Sequence, residues 1–155
     1  MMAKTQKLDS AEQDAIALRA WLAVVRAYNQ CDAVLAQKLG AIGYTTAEYE
    51  VITRLHRDPG QTQQELAQRC FVAKSGISML IKRMEEAGWV LRSADAQDAR
   101  VKRLTLSDEG QRQAERMLLV QQEALSVMAA PLTPLELRQI AEMMDKVNSS
   151  LLQVT

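Results

Sequence analysis

Residues 62–88 read TQQELAQRCFVAKSGISMLIKRMEEAG, and this stretch decides the fold. It opens with Thr62 followed three residues later by Glu65, a pairing in which hydroxyl and carboxylate satisfy backbone donors that a helix start leaves open. It closes at Gly88, a residue suited to the left-handed turn that ends a helix. Leu66, Ala67, Val72, Ile77, Leu80, Ile81 and Met84 recur at helical spacing in two groups, with a tight turn expected at Phe71, Val72 and Ala73. A short helix over 63–70 and a second from 74 to about 87, sharing those residues as a core, make a helix-turn-helix.

Packing the second helix on the first uses its apolar side and leaves Lys74, Ser75, Ser78, Met79 and Lys82 outward. Short polar side chains let a helix axis approach base edges in a DNA major groove, and lysines there reach guanine acceptors or phosphate. Gly76 removes a side chain on or near that face, a loss of up to about 1 kcal/mol in helix propensity that close backbone approach would justify. Thr62 and Gln63, at the start of the preceding helix, belong to the same expected DNA-facing set. A helical hairpin with a merely solvated polar face is the alternative.

After Gly88 the period changes from helical to alternating. Residues 89–92 and 101–106 read as two short strands joined by a polar loop over 93–100, a hairpin wing beside the second helix. Arg100 at its tip suits the narrow, negative minor groove, and Asp98 is placed to accept a hydrogen bond from that guanidinium. Lys102 and Arg103 point to opposite sides of their strand, so at most one faces phosphate.

Charge supports this placement. The 155 residues hold 19 Lys+Arg against 19 Asp+Glu, so the chain as a whole is no polycation. Between Lys74 and Leu106, however, seven basic residues face four acidic ones, and the flanks compensate. With 48% hydrophobic and 25% charged residues the composition is globular, and no apolar run approaches a membrane span. No export signal is read at the start, so the cytoplasm is the expected location. A single histidine, His56, and the widely separated Cys31 and Cys70 leave little from which to assemble a metal site, a catalytic triad or a disulfide scaffold. No enzyme, metal or cofactor is expected.

Helix signals also frame both ends. Ser10 with Gln13, Thr45 with Glu48, Ser107 before Asp108 and Glu109, and Thr133 with Glu136 behind Pro134 mark starts; Gly40, Gly43, Asp58-Pro59-Gly60 and Pro131 mark stops. Helices are expected over 10–39, 46–57, 108–129 and 134–152. Leu18, Trp21, Val25, Tyr28, Cys31, Leu35 and Leu39 form one apolar stripe, and Leu137, Ile140, Met144, Val147 and Leu151 another. Such surface exceeds what a small central domain buries, so a homodimer built by both ends is expected.

The segment 62–88, Trp89-Val90-Leu91-Arg92, DAQDAR at 95–100 and LTLSDEG at 104–110 together resemble the winged-helix signature of the MarR family of bacterial transcriptional regulators; GYTTAEYEVITRL at 43–55 resembles its second helix. The resemblance implies a mainly α (α+β) fold: a winged helix-turn-helix over 43–107, with 8–42 and 108–155 as a helical dimerisation region. It implies a homodimer that binds double-stranded DNA at a palindromic operator, usually as a repressor, and is released by a small aromatic or phenolic effector or by an oxidant. By position, Ser75, Ser78 and Lys82 fall on the family's recognition helix, and Asp98 and Arg100 on its wing. The wing departs from the pattern at Ala99, where a second basic residue is usual.

An effector site between the terminal helices and the winged helix would draw on Trp21, Tyr28, Cys31, Tyr44, Tyr49 and His56, although core packing accounts for the same residues. Redox sensing through Cys31 is an alternative switch; Asp32 beside it and the lack of a basic residue one helical turn away argue against an activated thiolate. A winged-helix module that docks a protein instead of DNA is the alternative function.

Overall fold

Four of the five expected helix starts carry the cap their sequence implies. Thr45 with Glu48, Thr62 with Glu65, and Thr133 with Glu136 each close a reciprocal capping box, and the Ser107 hydroxyl accepts the Gly110 amide at 3.0 Å. The first start shifts by one residue. Asp9 takes the capping position, its carbonyl accepting Gln13 N–H at 2.9 Å, and Ser10 already lies inside the helix.

The computed structural model describes residues 9–70 and 74–153, with Lys74 and Ser75 described by backbone alone. Their order is α1 (Ser10–Ala41), α2 (Thr46–Arg57), β1 (Gln61–Thr62), α3 (Gln63–Arg69), α4 (Lys74–Glu86), β2 (Val90–Ala94), β3 (Lys102–Leu106), α5 (Asp108–Ala129) and α6 (Pro134–Leu151). The turn expected at Phe71, Val72 and Ala73, and the core role expected of Val72, lie outside the described residues. Gly40 lies within α1 instead of ending it; the chain turns at Gly43, whose φ of +86° is a left-handed value that glycine adopts without strain.

The wing is three-stranded, not two-stranded. All pairs are antiparallel in the order β1-β3-β2, with Gln61 opposite Leu104, Thr62 opposite Arg103, and Val90 through Ala94 opposite Leu106 through Lys102. A two-residue strand has no alternation to read; β1 exists because β3 offers it a paired edge. Pairing of Ala94 with Lys102 also shortens the expected 93–100 loop.

One core joins the parts. Leu39 from α1, Val51, Ile52 and Leu55 from α2, Leu66 from α3, Ile77, Ile81 and Met84 from α4, Leu104 from β3 and Met117 from α5 are all essentially inaccessible. Beyond it the ends stand bare. Leu39 is the only buried residue of α1, and none of α6 is buried. Trp21, Tyr28, Leu119, Ile140, Val147 and Leu151 expose between 43% and 63% of their surface. Among the described residues no helix is long and apolar enough to cross a membrane.

Candidate nucleic-acid interface

The capping box at Thr62 fixes where α3 begins: Glu65 N–H donates to Thr62 Oγ1 at 3.1 Å and Thr62 N–H to Glu65 Oε2 at 2.7 Å. These bonds hold the Glu65 carboxyl below the usual carboxylate range, with Arg103 and Arg69 adding to the effect. Gln63, one residue on, projects toward α4 and donates through Nε2 to Ser78 Oγ at 2.7 Å. On α4 the inner positions Ile77, Leu80, Ile81 and Met84 are buried, while Ser78, Met79 and Lys82 are exposed and Gly76 is half-buried. The expected outer face is thus assembled, with Met79 66% exposed. The Lys74 and Ser75 side chains lie outside the described residues.

The basic residues between Lys74 and Leu106 divide into two groups, a division the sequence conceals. Arg83 binds Glu48 at 3.1 Å, tying α4 to the α2 capping box. Arg92 holds Glu85 with two bonds of 2.8 and 3.0 Å, joining β2 to α4. Arg103 binds Asp95 at 2.7 Å, the Gly60 carbonyl at 3.1 Å and Glu65 at 3.6 Å, joining wing, β1 turn and α3. These three arginines are scaffold. Lys82 keeps only a loose i,i+4 contact with Glu86 at 3.8 Å and is 76% exposed, and among the described residues no carboxylate pairs with the Arg100 guanidinium.

The wing tip is built by two aspartates. Asp95 Oδ1 accepts Gln97 N–H at 2.8 Å and Asp98 N–H at 3.1 Å, and the Gln97 amide, then Arg103, hold its carboxyl below the ordinary range. Asp98 Oδ1 accepts the backbone N–H of Arg100 at 3.0 Å. This corrects the expectation that Asp98 holds the Arg100 guanidinium: an aspartate two residues back meets the nearer main-chain donor, and the guanidinium is left for another partner. Lys102 Nζ reaches back to the Ala99 carbonyl at 3.2 Å, bringing a second positive charge to the tip where residue 99 carries none. Asp95 and Arg103 as wing organisers were missed in the sequence, although an aspartate opening a polar loop is the signal for such a turn.

The expected effector residues separate. Tyr28, Cys31 and Tyr49 line one cavity of about 200 Å³ with Leu35, Leu125 and Met128, between α1, α2 and α5. Partial burial pushes the Tyr49 hydroxyl up, against the lowering effect of Arg57. Cys31 also borders a second cavity of about 330 Å³ walled by Val34, Val127 and Pro131. Trp21, Tyr44 and His56 line neither. Trp21 is 60% exposed. Tyr44 is in the core, edge-on to Trp89 at 6.0 Å, with its hydroxyl bonded to Gln113 and Arg116. His56 Nδ1 meets Gln111 Oε1 at 2.7 Å, across from α2 to α5. Cys70 is buried, and desolvation pushes its thiol up, as suits a small core side chain.

Residues 42–101, the second helix through the wing tip, match the MarR family profile. Over that stretch the chain resembles the MarR family. An uncharacterized HTH-type transcriptional regulator of Bacillus anthracis is 32% identical to this chain over 98 residues, 63% of this chain and 65% of that protein. The match therefore spans just under two thirds of that relative's length. An HTH-type transcriptional repressor of Mycobacterium tuberculosis is 29% identical over 111 residues, 72% of this chain and 80% of that one. A crystal structure of a Mycobacterium tuberculosis MarR family protein in complex with salicylic acid superposes with a TM-score of 0.67 at 26% identity, over 80% of this chain and 92% of that one. Wild-type MarR of E. coli in its apo form shares the fold at a TM-score of 0.68 and 22% identity, over 80% of this chain and 93% of that one.

Proposed function

We propose that this protein is a member of the MarR family, a homodimeric, sequence-specific DNA-binding transcriptional regulator that represses from palindromic operators and is released by a small aromatic or phenolic ligand. The observation that carries the reading is the division of charge: three arginines are spent on carboxylates that join one element to another, while Lys82 and the Arg100 guanidinium remain outward on α4 and the wing. Cations with at most a loose carboxylate contact are the ones left to neutralise phosphate. Residues 43–107 serve as the DNA-binding unit, and 8–42 with 108–155 as the dimerisation region. The bare apolar flanks of α1, α5 and α6 support the second assignment, since surface of that extent is stable when a copy covers it. A dimer has the symmetry of a palindrome and sets two recognition helices about 34–36 Å apart, one turn of DNA. The cavity at Tyr28 and Tyr49 adjoins both the long α1 and the winged helix through α2, so a ligand there alters their relative placement.

The test is retardation of promoter fragments by the pure protein at several salt concentrations. Binding falls steeply with salt, and Arg100→Ala weakens it and flattens the slope by about one counterion per lost contact. Equal binding by Arg100→Ala and the parent across that range refutes the wing assignment. Absence of sequence-specific retardation would favour a protein-docking module instead.

A further inference from the structure

A serine hydroxyl in a DNA groove is normally ambiguous, because it carries one donor and two acceptor lone pairs and its proton rotates to suit the partner. At Ser78 that freedom is narrowed by a relay of side chains from three elements. Gln63 Nε2 donates to Ser78 Oγ at 2.7 Å. The orientation of the Gln63 amide is set by its other neighbour: Arg92 Nη2 reaches Gln63 Oε1 at 3.5 Å, and a guanidinium has donors only. The carbonyl end must therefore face Arg92 and the NH2 end Ser78. Arg92 in turn is held by its two bonds to Glu85, which lower the Glu85 carboxyl and raise the guanidinium. Donation thus runs from Arg92 to Gln63 to Ser78 and takes up one lone pair of the Ser78 hydroxyl, which stands on the exposed face of α4 with no acceptor for its proton among the residues whose side chains are described.

We propose that Gln63 is a specificity-determining residue that holds Ser78 as a hydrogen-bond donor to the major groove. Each operator half-site then carries an acceptor where Ser78 reads it, whether guanine O6 or N7, adenine N7 or thymine O4. Cytosine, whose edge there offers only its N4 donor, cannot take that proton and is disfavoured. This rests on the reading of α4 as the recognition helix.

Selection of bound fragments from random DNA by the parent, by Gln63→Glu and by Ser78→Ala tests it. The parent depletes cytosine about tenfold at one position of each half-site, in line with a single mismatch. In Gln63→Glu the carboxylate still meets Arg92 but can only accept, so the serine proton turns inward and its lone pairs face the groove. The added charge lowers affinity on all sequences, yet at that one position preference moves to the amino groups of cytosine and adenine. Ser78→Ala, an exposed change that leaves the core intact, flattens preference at the same position. Parent-like preferences in both variants, or a uniform loss of affinity with no positional change, overturn the relay while leaving DNA binding in place. Failure of the parent itself to enrich any sequence takes down the DNA-binding reading, and this inference with it.

Discussion

Two helical glycines of this chain respond to the same substitution with opposite signs. Gly110 sits in the first turn of α5 where it passes over the start of the wing, and a Cβ there would lie 2.0 Å from the Trp89 carbonyl oxygen, with Leu106 Cβ at 3.2 Å. Real contacts of that kind stay above 3.0 Å, so Gly110→Ala forces helix and strand apart by about 1 Å or more, and the obstacle is backbone that cannot rotate away. The same junction carries the Ser107 N–H to Trp89 carbonyl bond at 3.0 Å, the Ser107 hydroxyl to Gly88 carbonyl bond at 2.5 Å and the α5 cap itself. Overpacking costs about 1–3 kcal/mol and a weakened cap about 1 kcal/mol more, so a loss of about 3 kcal/mol is expected. At about 2–4 °C per kcal/mol for a chain of this size, the melting temperature falls by about 6–12 °C. Gly40, inside α1, has nothing within 4 Å of a built Cβ. Gly40→Ala therefore stabilises by up to about 1 kcal/mol through helix propensity alone. Thermal unfolding by circular dichroism at fixed protein concentration reads both. A Gly110→Ala variant melting within about 1–2 °C of the parent, or a Gly40→Ala variant melting lower, refutes the packing argument.

Other outcomes follow from the same structure. Ile81→Ala, at a fully inaccessible position of α4 in the shared core, costs about 2–5 kcal/mol in denaturant unfolding. On the proposed dimer, the double substitution Ile140→Glu with Val147→Glu gives a folded monomer on size-exclusion chromatography with light scattering, because both positions on α6 are over 40% exposed in the single chain. Acid weakens the winged helix: Glu65, Glu85 and Asp95 all have carboxyls held below their ordinary values, so their contribution is complete above the ordinary carboxylate range near pH 4 and is lost as pH falls through and below it. Asp95→Asn removes part of that acid dependence, measured as unfolding midpoint against pH, and a parallel profile in parent and variant contradicts the assignment.

What the linear chain determined by itself is everything that rests on neighbours within one helical turn or one strand. Capping boxes at Thr45, Thr62 and Thr133, the stops at Gly43 and Gly88, and the inward positions of α4 are local chemistry, and each helix appears within two residues of its expected bounds. The family signature lay in the same contiguous stretch. Partnership across the fold was not legible in that way. Counting seven basic residues between Lys74 and Leu106 does not reveal that Arg83, Arg92 and Arg103 are paired, because the carboxylates that claim them, Glu48, Glu85, Glu65 and Asp95, are selected by the distance between elements. Tyr44 and Tyr49 look alike in sequence, yet one packs on Trp89 in the core and the other borders a cavity. The two-residue β1 strand has no pattern of its own and exists only as the partner of β3. Charge and hydrogen-bond pairing act through space, so only the folded chain decides which cations serve as scaffold and which stay free for a ligand.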